Sequence, residues 1–383
     1  MEAPGLDHRP RQVSNPLSVR QWSVDEWLNC ESQWTDLLTR SEADPLFLSW
    51  EWLTSWWKSF GADLAADPCI LAFYRGDRLV GAAPLYRKRE FRRRVIPVNS
   101  VQLVGLSWRD SERIVSEYMD VVAEPDHVES VRSACIGQLI RDGGWSEFSI
   151  GFTAASSEWA DAFSDVARSC GCYVRELDSS ISHQASLGEG FPKYLEGLGQ
   201  STRRSLWHLR KRLNSHGKVT LERVPDDEIS SALNDLNRLH LMRWQRTAFT
   251  GQRLAFHENL ATRMAARRQL IMTRLRVGER VVSVAYDIRA GDRQYNIKLG
   301  FDPTLSSQVS IGLIHLGYLL EEAAGAGVVI YDFLAGRGRS SDYKTHLSQI
   351  RIELRSIQML KGHLLPRLYK WHDQLTHGLR HAP

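Results

Sequence analysis

Gly76-Asp-Arg-Leu-Val-Gly-Ala-Ala-Pro-Leu85 can be laid on Gly278-Glu-Arg-Val-Val-Ser-Val-Ala-Tyr-Asp287, with glycine, arginine, valine and alanine in register and acid opposite acid. In both copies an apolar strand, Cys69 to Tyr74 or Leu270 to Val277, meets a Gly-acid pair, and a strand of small and β-branched residues leaves it. That is the signature of a hairpin closed by a two-residue turn. A further strand, a helix and a glycine-introduced strand follow each hairpin. The spacing predicts helices over Val128 to Arg141, left through Gly143-Gly144, and Ile311 to Ala324, left through Gly325 and Gly327. The strands after them are Trp145 to Ile150 and Val328 to Leu334. One order of elements met twice in a chain points to duplication. The fold class expected is α/β with mixed α+β layers: two tandem units, each a mixed, mostly antiparallel sheet flanked by helices. The divisions expected are a disordered tail over 1–18, a first domain over 19–184, a second over 185–358 and a helical tail over 359–383.

The chain has 383 residues, 43% hydrophobic and 25% charged, which is ample for two soluble cores. No run approaches the ~18 apolar residues of a membrane span, and Met1 to Arg20 lacks an apolar signal core, so a cytoplasmic protein without stable membrane insertion is expected. The 5 cysteines form no Cys-x-x-Cys and lie apart from histidine at ligand spacing, so neither a disulfide framework nor a metal site is expected. A net charge of +4 does not demand a nucleic acid partner. Charge is concentrated locally, in Arg87-Lys-Arg-Glu-Phe-Arg-Arg-Arg94 and in a basic helix expected over 203 to 217; either could face phosphates or solvent. In the tail, Leu364, Leu365, Leu368, Trp371, Leu375 and Leu379 fall mostly on one side of a helix, a face for docking on the chain's own domain or for lying on a membrane.

The halves differ in chemistry. The first carries Trp50, Trp52, Trp56, Trp57 and Phe60 on one expected helix, a broad apolar face suited to burial between domains or to a substrate groove. The second carries Tyr331-Asp-Phe-Leu-Ala-Gly-Arg-Gly-Arg-Ser-Ser-Asp-Tyr-Lys344, where an apolar strand interrupted only by Asp332 leads through a glycine turn to a phenol and an ammonium. A carboxylate in such a strand needs a partner or a task. Ser340 or Ser341 could cap the helix that presents Tyr343 and Lys344. A helix over Leu233 to Trp244 carries His240, Arg243 and Trp244. The second half is the candidate catalytic domain.

Phe47-Leu-Ser-Trp-Glu-Trp-Leu-Thr-Ser-Trp-Trp-Lys-Ser-Phe60, the paired hairpins, His240-x-x-Arg243-Trp244, Gly300-Phe-Asp-Pro303, and Asp332-Phe-Leu-Ala-Gly336 followed by Tyr343-Lys344 together resemble the tandem-GNAT proteins of the CelD-like or BioF2-like acyltransferases, over roughly residues 45 to 360. The resemblance implies acyl transfer from acyl-CoA, acetyl-CoA before longer thioesters, to an amine or hydroxyl of a small-molecule, sugar or peptide acceptor. The related Fem-type peptidyltransferases use aminoacyl-tRNA, which makes tRNA the alternative donor carrier; a non-catalytic scaffold docking through the tryptophan face is a further alternative. Asp332, Gly336, Tyr343 and Lys344 match the family's second-half motif, and His240 and Trp244 its first cleft helix.

On this reading a backbone amide near Lys298 to Gly300 polarises the donor carbonyl. Tyr343 protonates the leaving group, Asp332 or His240 serves as base, and Arg243, Trp244 and Gly336 contact the acceptor. Lys344 holds an acceptor carboxylate or a donor phosphate, or pairs with Asp332. The family's glycine-rich pyrophosphate loop is replaced here by Leu305-Ser-Ser-Gln-Val-Ser-Ile-Gly312, so Ser306, Ser307, Ser310 and Gly312 are the residues expected to meet the donor's phosphates.

Overall fold

The computed structural model describes residues 16–92, 95–107, 114, 116–305, 309–335 and 339–380. Ser306, Ser307 and Gly336 from the sequence reading lie outside these residues, as does the tail up to residue 15. The side chains of Ser340 and Ser341 are likewise outside the described set.

Thirteen strands form one sheet. They are β1 (Leu17–Trp22), β2 (Asp67–Arg75), β3 (Arg78–Arg92), β4 (Ile96–Leu103), β5 (Val122–Ala123), β6 (Glu147–Ala154), β7 (Tyr173–Ser186), β8 (Val219–Arg223), β9 (Leu270–Val277), β10 (Arg280–Ala290), β11 (Arg293–Phe301), β12 (Ile330–Ala335) and β13 (Ile350–Leu360). Their order is β1-β2-β3-β4-β6-β13-β7-β12-β11-β10-β9-β8, with β5 paired to β3 off this path. Among the described residues only β4 with β6 and β11 with β12 pair in parallel. Leu17 and Ser18, expected in the tail, already pair with Arg75 and Tyr74. The expected division at 184/185 falls inside β7, and Met359 and Leu360, expected in the helical tail, belong to β13.

Both repeat hairpins are present. Gly76 and Gly278 each take the first position of a two-residue turn, with φ of 60 and 59°. That conformation is open to glycine at no steric cost, and it gives the turn a twist matching that of the strands it joins.

β13 from the end of the chain lies between β6 and β7, so the sheet is continuous between the halves. The tryptophan helix Trp50–Phe60 seals the same junction on one face. Trp52 and Trp56 are fully buried; Trp52 meets Phe256 of the second half edge-on at 5.4 Å, and its indole N–H donates to Ser116 Oγ at 2.7 Å. Arg263 from the second half donates to the Glu51 carbonyl, Thr54 and Ser55 at 2.9, 2.9 and 2.6 Å. Each such ring buries roughly 200 Å2, worth about 5 kcal/mol of transfer free energy. The tryptophan face is therefore spent inside the molecule and is not available to dock a partner.

The expected basic helix at 203 to 217 is broken. A short helix, Gln200–Arg203, runs into a wide π turn, Arg204–His208, then Arg210–Leu213 and a 3-10 turn, Asn214–His216. The wide turn carries the Leu206 carbonyl against helix Ile311–Gly325, where a Cβ on Gly317 would stand 2.4 Å from it.

Candidate active site

β11 and β12 pair through three residues only, Arg293 to Tyr295 against Ile330 to Asp332. A bulge opposite Tyr286 and Asp287 leaves Ile297 without a partner on β10 and bends β11. Past that point the two strands part, and the gap between them opens into a cavity of about 390 Å3. β11 supplies Asn296, Lys298, Leu299 and Phe301; β12 supplies Phe333, Leu334 and Ala335. Helix Ile229–Trp244 brings His240, Arg243 and Trp244, and helix Arg339–Leu347 brings Tyr343 and Lys344. Ser310 and Gly312 face it from the start of helix Ile311–Gly325, and Glu117 enters from the first half. Residues more than 200 positions apart in the chain thus share one wall.

The Nδ1–H of His240 donates to the Arg246 carbonyl at 2.7 Å, because a carbonyl can only accept. That bond fixes the tautomer and leaves the Nε2 lone pair as the basic site. Burial, with the nearby cations, keeps the ring below its usual pKa, so it is neutral at pH 7. Arg243 is layered between Trp244 and Phe301, 4.6 and 4.2 Å from the ring centres. Burial raises the Tyr343 hydroxyl to about 12, which keeps it a proton donor. Burial and the neighbouring Arg253, Arg246 and Lys344 lower Lys298 to about 8.

Glu117 is the residue the sequence reading missed. Its carboxylate accepts the Ala335 N–H at 3.0 Å through each oxygen, and burial together with the charge of Asp332 pushes it up to about 8. Nothing in the sequence signals it, since its partner lies 218 residues later. Lys344 does not pair directly with Asp332. Its ammonium donates to the carbonyls of Phe333, Leu334 and Ala335 at 2.6, 2.9 and 3.2 Å, satisfying the acceptors that β12 loses where the strands part.

Two candidates from the sequence are placed elsewhere. Asp332 is fully buried behind the cavity and accepts from Tyr118 Oη, Gln184 Nε2, Ser182 Oγ and the Leu334 N–H at 2.6, 2.8, 3.1 and 2.7 Å. With its oxygens so engaged it does not face a substrate. It braces two residues in the left-handed region, Tyr118 at φ 54° and Leu334 at φ 61°, a conformation that costs about 1–3 kcal/mol each. Gly300 also faces away: a Cβ there would stand 3.0 Å from the Leu236 carbonyl and 3.3 Å from Leu239, so the glycine serves close packing of helix Ile229–Trp244 on β11. The Asp302 N–H donates to the Val282 carbonyl on β10. Alternation along the strand then turns the Leu299 amide toward the gap, and that N–H is the group placed to polarise a carbonyl there.

Gly312 owes its identity to packing, because a Cβ would lie 2.5 Å from the Phe301 ring. Ser310 precedes the helix without a side-chain cap, so the first N–H groups and the positive end of the helix dipole open on the cavity. Asn296 was also missed; its Nδ2 donates to Asp287 at 2.7 Å, and Asp287 accepts from Gln294 and Tyr331 as well, at 2.8 and 2.7 Å. Among the described lining residues three cations face one carboxylate, which suits an anionic ligand.

The corresponding gap of the first half is filled. β4 and β6 pair through Ser100 to Gln102 against Glu147 to Ser149, then part. Leu106 occupies the space, so close to Gly151 that a Cβ there would lie 2.4 Å away, and Tyr86 Oη donates to the Leu106 carbonyl at 2.6 Å. Ser116 N–H bonds Gly105 O at 3.1 Å and Met119 N–H bonds Phe152 O at 3.2 Å, so the segment that closes this gap also delivers Glu117 and Tyr118 to the second. Tyr118 faces a separate polar cleft of about 780 Å3 between the halves, lined also by Asp44, Gln184 and Arg293. Among the described residues no group of three or more His, Cys, Asp or Glu is arranged to hold a metal ion.

No curated protein sequence matches the chain. Solved structures with a similar fold include FemX, at 9% identity over 88% of this chain and 96% of that one with a TM-score of 0.58. Another is L-PGS from Bacillus licheniformis, at 12% identity over 90% and 95% with a TM-score of 0.50. A third is the C-terminal domain of a lysylphosphatidylglycerol synthetase described as putative, from Agrobacterium fabrum, at 11% identity over 89% and 93% with a TM-score of 0.51. At these identities the likeness is one of fold. Residues 200–345, which supply every wall of the cavity except Glu117, match the family model of the acetyltransferase (GNAT) domain.

Proposed function

We propose that the chain transfers an acyl group from acyl-CoA, acetyl-CoA or a longer thioester, to an amine or hydroxyl of a small-molecule, sugar or peptide acceptor, and that it sits on the CelD-like or BioF2-like branch of the GNAT acyltransferases. One observation carries the reading. The parting of β11 from β12 creates a cationic cavity that joins an uncapped helix start, a free strand amide and two proton-transfer groups. The donor's pyrophosphate lies at the N–H groups following Ser310, where the helix dipole favours anions, and its acyl carbonyl accepts from the Leu299 amide. His240 Nε2 takes the proton of the attacking acceptor, and Glu117, ionised in about half the molecules near pH 8, holds the acceptor amine or relays its proton. Tyr343 returns a proton to the thiolate that leaves. Arg243 and Trp244 line the acceptor's approach, and Lys298 raises the field that favours the developing oxyanion. Asp332 and Lys344 are positioning residues for β12 and not reacting groups.

Calorimetry with acetyl-CoA, longer acyl-CoAs and free CoA tests this directly. Saturable micromolar binding that Ser310→Glu abolishes is the expected result; no binding of any thioester rejects a CoA donor. A second reading, an aminoacyl-tRNA donor, has its own observation. Gln200, Arg203, Arg204 and His208 line a basic surface hollow of about 540 Å3, beside a half-exposed Trp207. On that reading tRNA binding falls steeply with salt and Arg203→Glu with Arg204→Glu removes it.

A further inference from the structure

The hairpin tip between β3 and β4 and the C-terminal helix Leu364–Arg380 both turn large apolar side chains outward. Phe91 and Val95 at the tip are 58% and 74% exposed, and Leu364, Leu368 and Trp371 on the helix are 66%, 40% and 61% exposed. The helix positions are spaced i, i+4, i+7 and so form one stripe. Its opposite face is already used: Leu365 joins Val98 and Leu360 with Ile96, Tyr173 and Tyr369, and Arg175 stacks on Tyr369 at 4.5 Å. Because Ile96 begins β4 beside the tip and Leu365 begins the helix, this cluster ties the tip end of the hairpin to the start of the helix and puts both apolar features at one end of the molecule.

The charges there have one free sign. Arg89, Arg367 and Lys370 are exposed, while Glu90 is bound by Arg92 at 2.8 Å and Asp373 pairs with Arg175 and accepts from Tyr173 Oη at 3.1 Å. Of the acids packed against the hairpin, Glu147 is held by Arg92 at 3.0 and 3.1 Å and Asp142 by Arg87 at 3.2 Å. Among the described residues no carboxylate on the hairpin tip or the helix is left to meet a cation. A second copy docked by symmetry would bring like charges together, whereas an anionic lipid surface supplies the missing sign and accepts Leu, Phe and Trp side chains at the depth of its headgroups.

We propose that this end of the protein docks on an anionic bilayer surface, the helix lying in the interface with Leu364, Leu368 and Trp371 inserted and the β3–β4 tip as a second anchor. This gives a task to the exposed Arg89, which the catalytic reading leaves unused. Flotation of the full chain with vesicles of phosphatidylcholine alone, and of phosphatidylcholine with phosphatidylglycerol, is the test. The expected result is binding to the anionic vesicles only, weakened by salt, with partitioning reduced about tenfold or more by Trp371→Glu and by Phe91→Ser with Val95→Ser. All three side chains are exposed, so the fold tolerates the changes, and circular dichroism checks this. Failure to float with anionic vesicles overturns the proposal. So does equal binding to neutral ones, or a wild-type dimer in light scattering that Trp371→Glu converts to monomer.

Discussion

Replacing Glu117 by glutamine keeps the acceptor oxygen for the Ala335 N–H and removes the charge. In the folded protein the carboxyl is shifted from its ordinary 4.5 to about 8, burial being the larger cause and Asp332 the next. A raised carboxyl holds its proton more tightly folded than unfolded, so it makes the native state lose stability as pH climbs from about 4.5 through 8. At 1.36 kcal/mol per pH unit the full loss is on the order of 3 to 5 kcal/mol, reached above the folded value. Chemical denaturation at closely spaced pH values between 5 and 9.5 reads it. The stability of the wild type relative to Glu117→Gln should fall by that amount across the window, leaving the variant the more stable protein at pH 9, while Lys298, lowered to about 8, bends both curves alike. The same variant should lose acyl transfer, with the alkaline rise of kcat/KM near pH 8 abolished and not merely scaled down. Parallel stability curves for the two proteins would refute the argument, because they would mean that the carboxyl is not perturbed by its site.

His240→Ala should lower kcat/KM by about 10²–10⁴-fold with little change in donor affinity by calorimetry; an unchanged rate removes it as the base. Gly312→Ala should cost about 1–3 kcal/mol through the clash with Phe301, and Phe301→Leu should recover much of that in thermal melts if the clash is the cause. Lys344→Met leaves three carbonyls of β12 without their donor. It should destabilise by about 2–4 kcal/mol and move the Glu117-dependent pH window further up, since a nearby cation that lowers it is gone; a window that stays put would separate the two residues.

The repeat was legible because a hairpin is a local object: strand, Gly-acid turn and strand sit within about twenty residues. The helices that follow were readable for the same reason, and Val128–Asp142 and Ile311–Gly325 begin at the positions expected from their flanking residues. The basic segment failed because its periodicity says nothing of the close approach between the Leu206 carbonyl and Gly317, and a tertiary contact decides the winding there. At the site, His240, Arg243, Trp244, Lys298, Ser310, Gly312, Tyr343 and Lys344 all meet at one cavity, though motif order could assign them no geometry. Asp332 was noticed for the right reason, a carboxylate in an apolar strand that needs a partner. Its partners Tyr118, Ser182 and Gln184 come from segments remote in sequence, and only their convergence reveals a brace.

On the proposed function, Glu117 gives the first copy of the fold a task. A single unit that opens its sheet between two strands gains a cavity but has one wall facing solvent. Here the first unit keeps the same parting of strands and fills it with Leu106, with Ser116 and Met119 bonded across it. That filling holds Glu117 and Tyr118 rigidly against β12 of the other unit, where Asp332 and the Ala335 amide receive them. On the proposed function, the filled gap of the first unit serves as a preorganised edge for the open cavity of the second. A loop on a lone unit could not position a carboxylate as well, because a catalytic group must be held to within about half an ångström. Leu106→Gly follows as the decisive perturbation. It touches nothing in the active cavity, yet by loosening the filling it should reduce kcat through Glu117 while leaving donor binding at Ser310 intact. If donor binding fell and kcat held, the two halves would be joined only for stability.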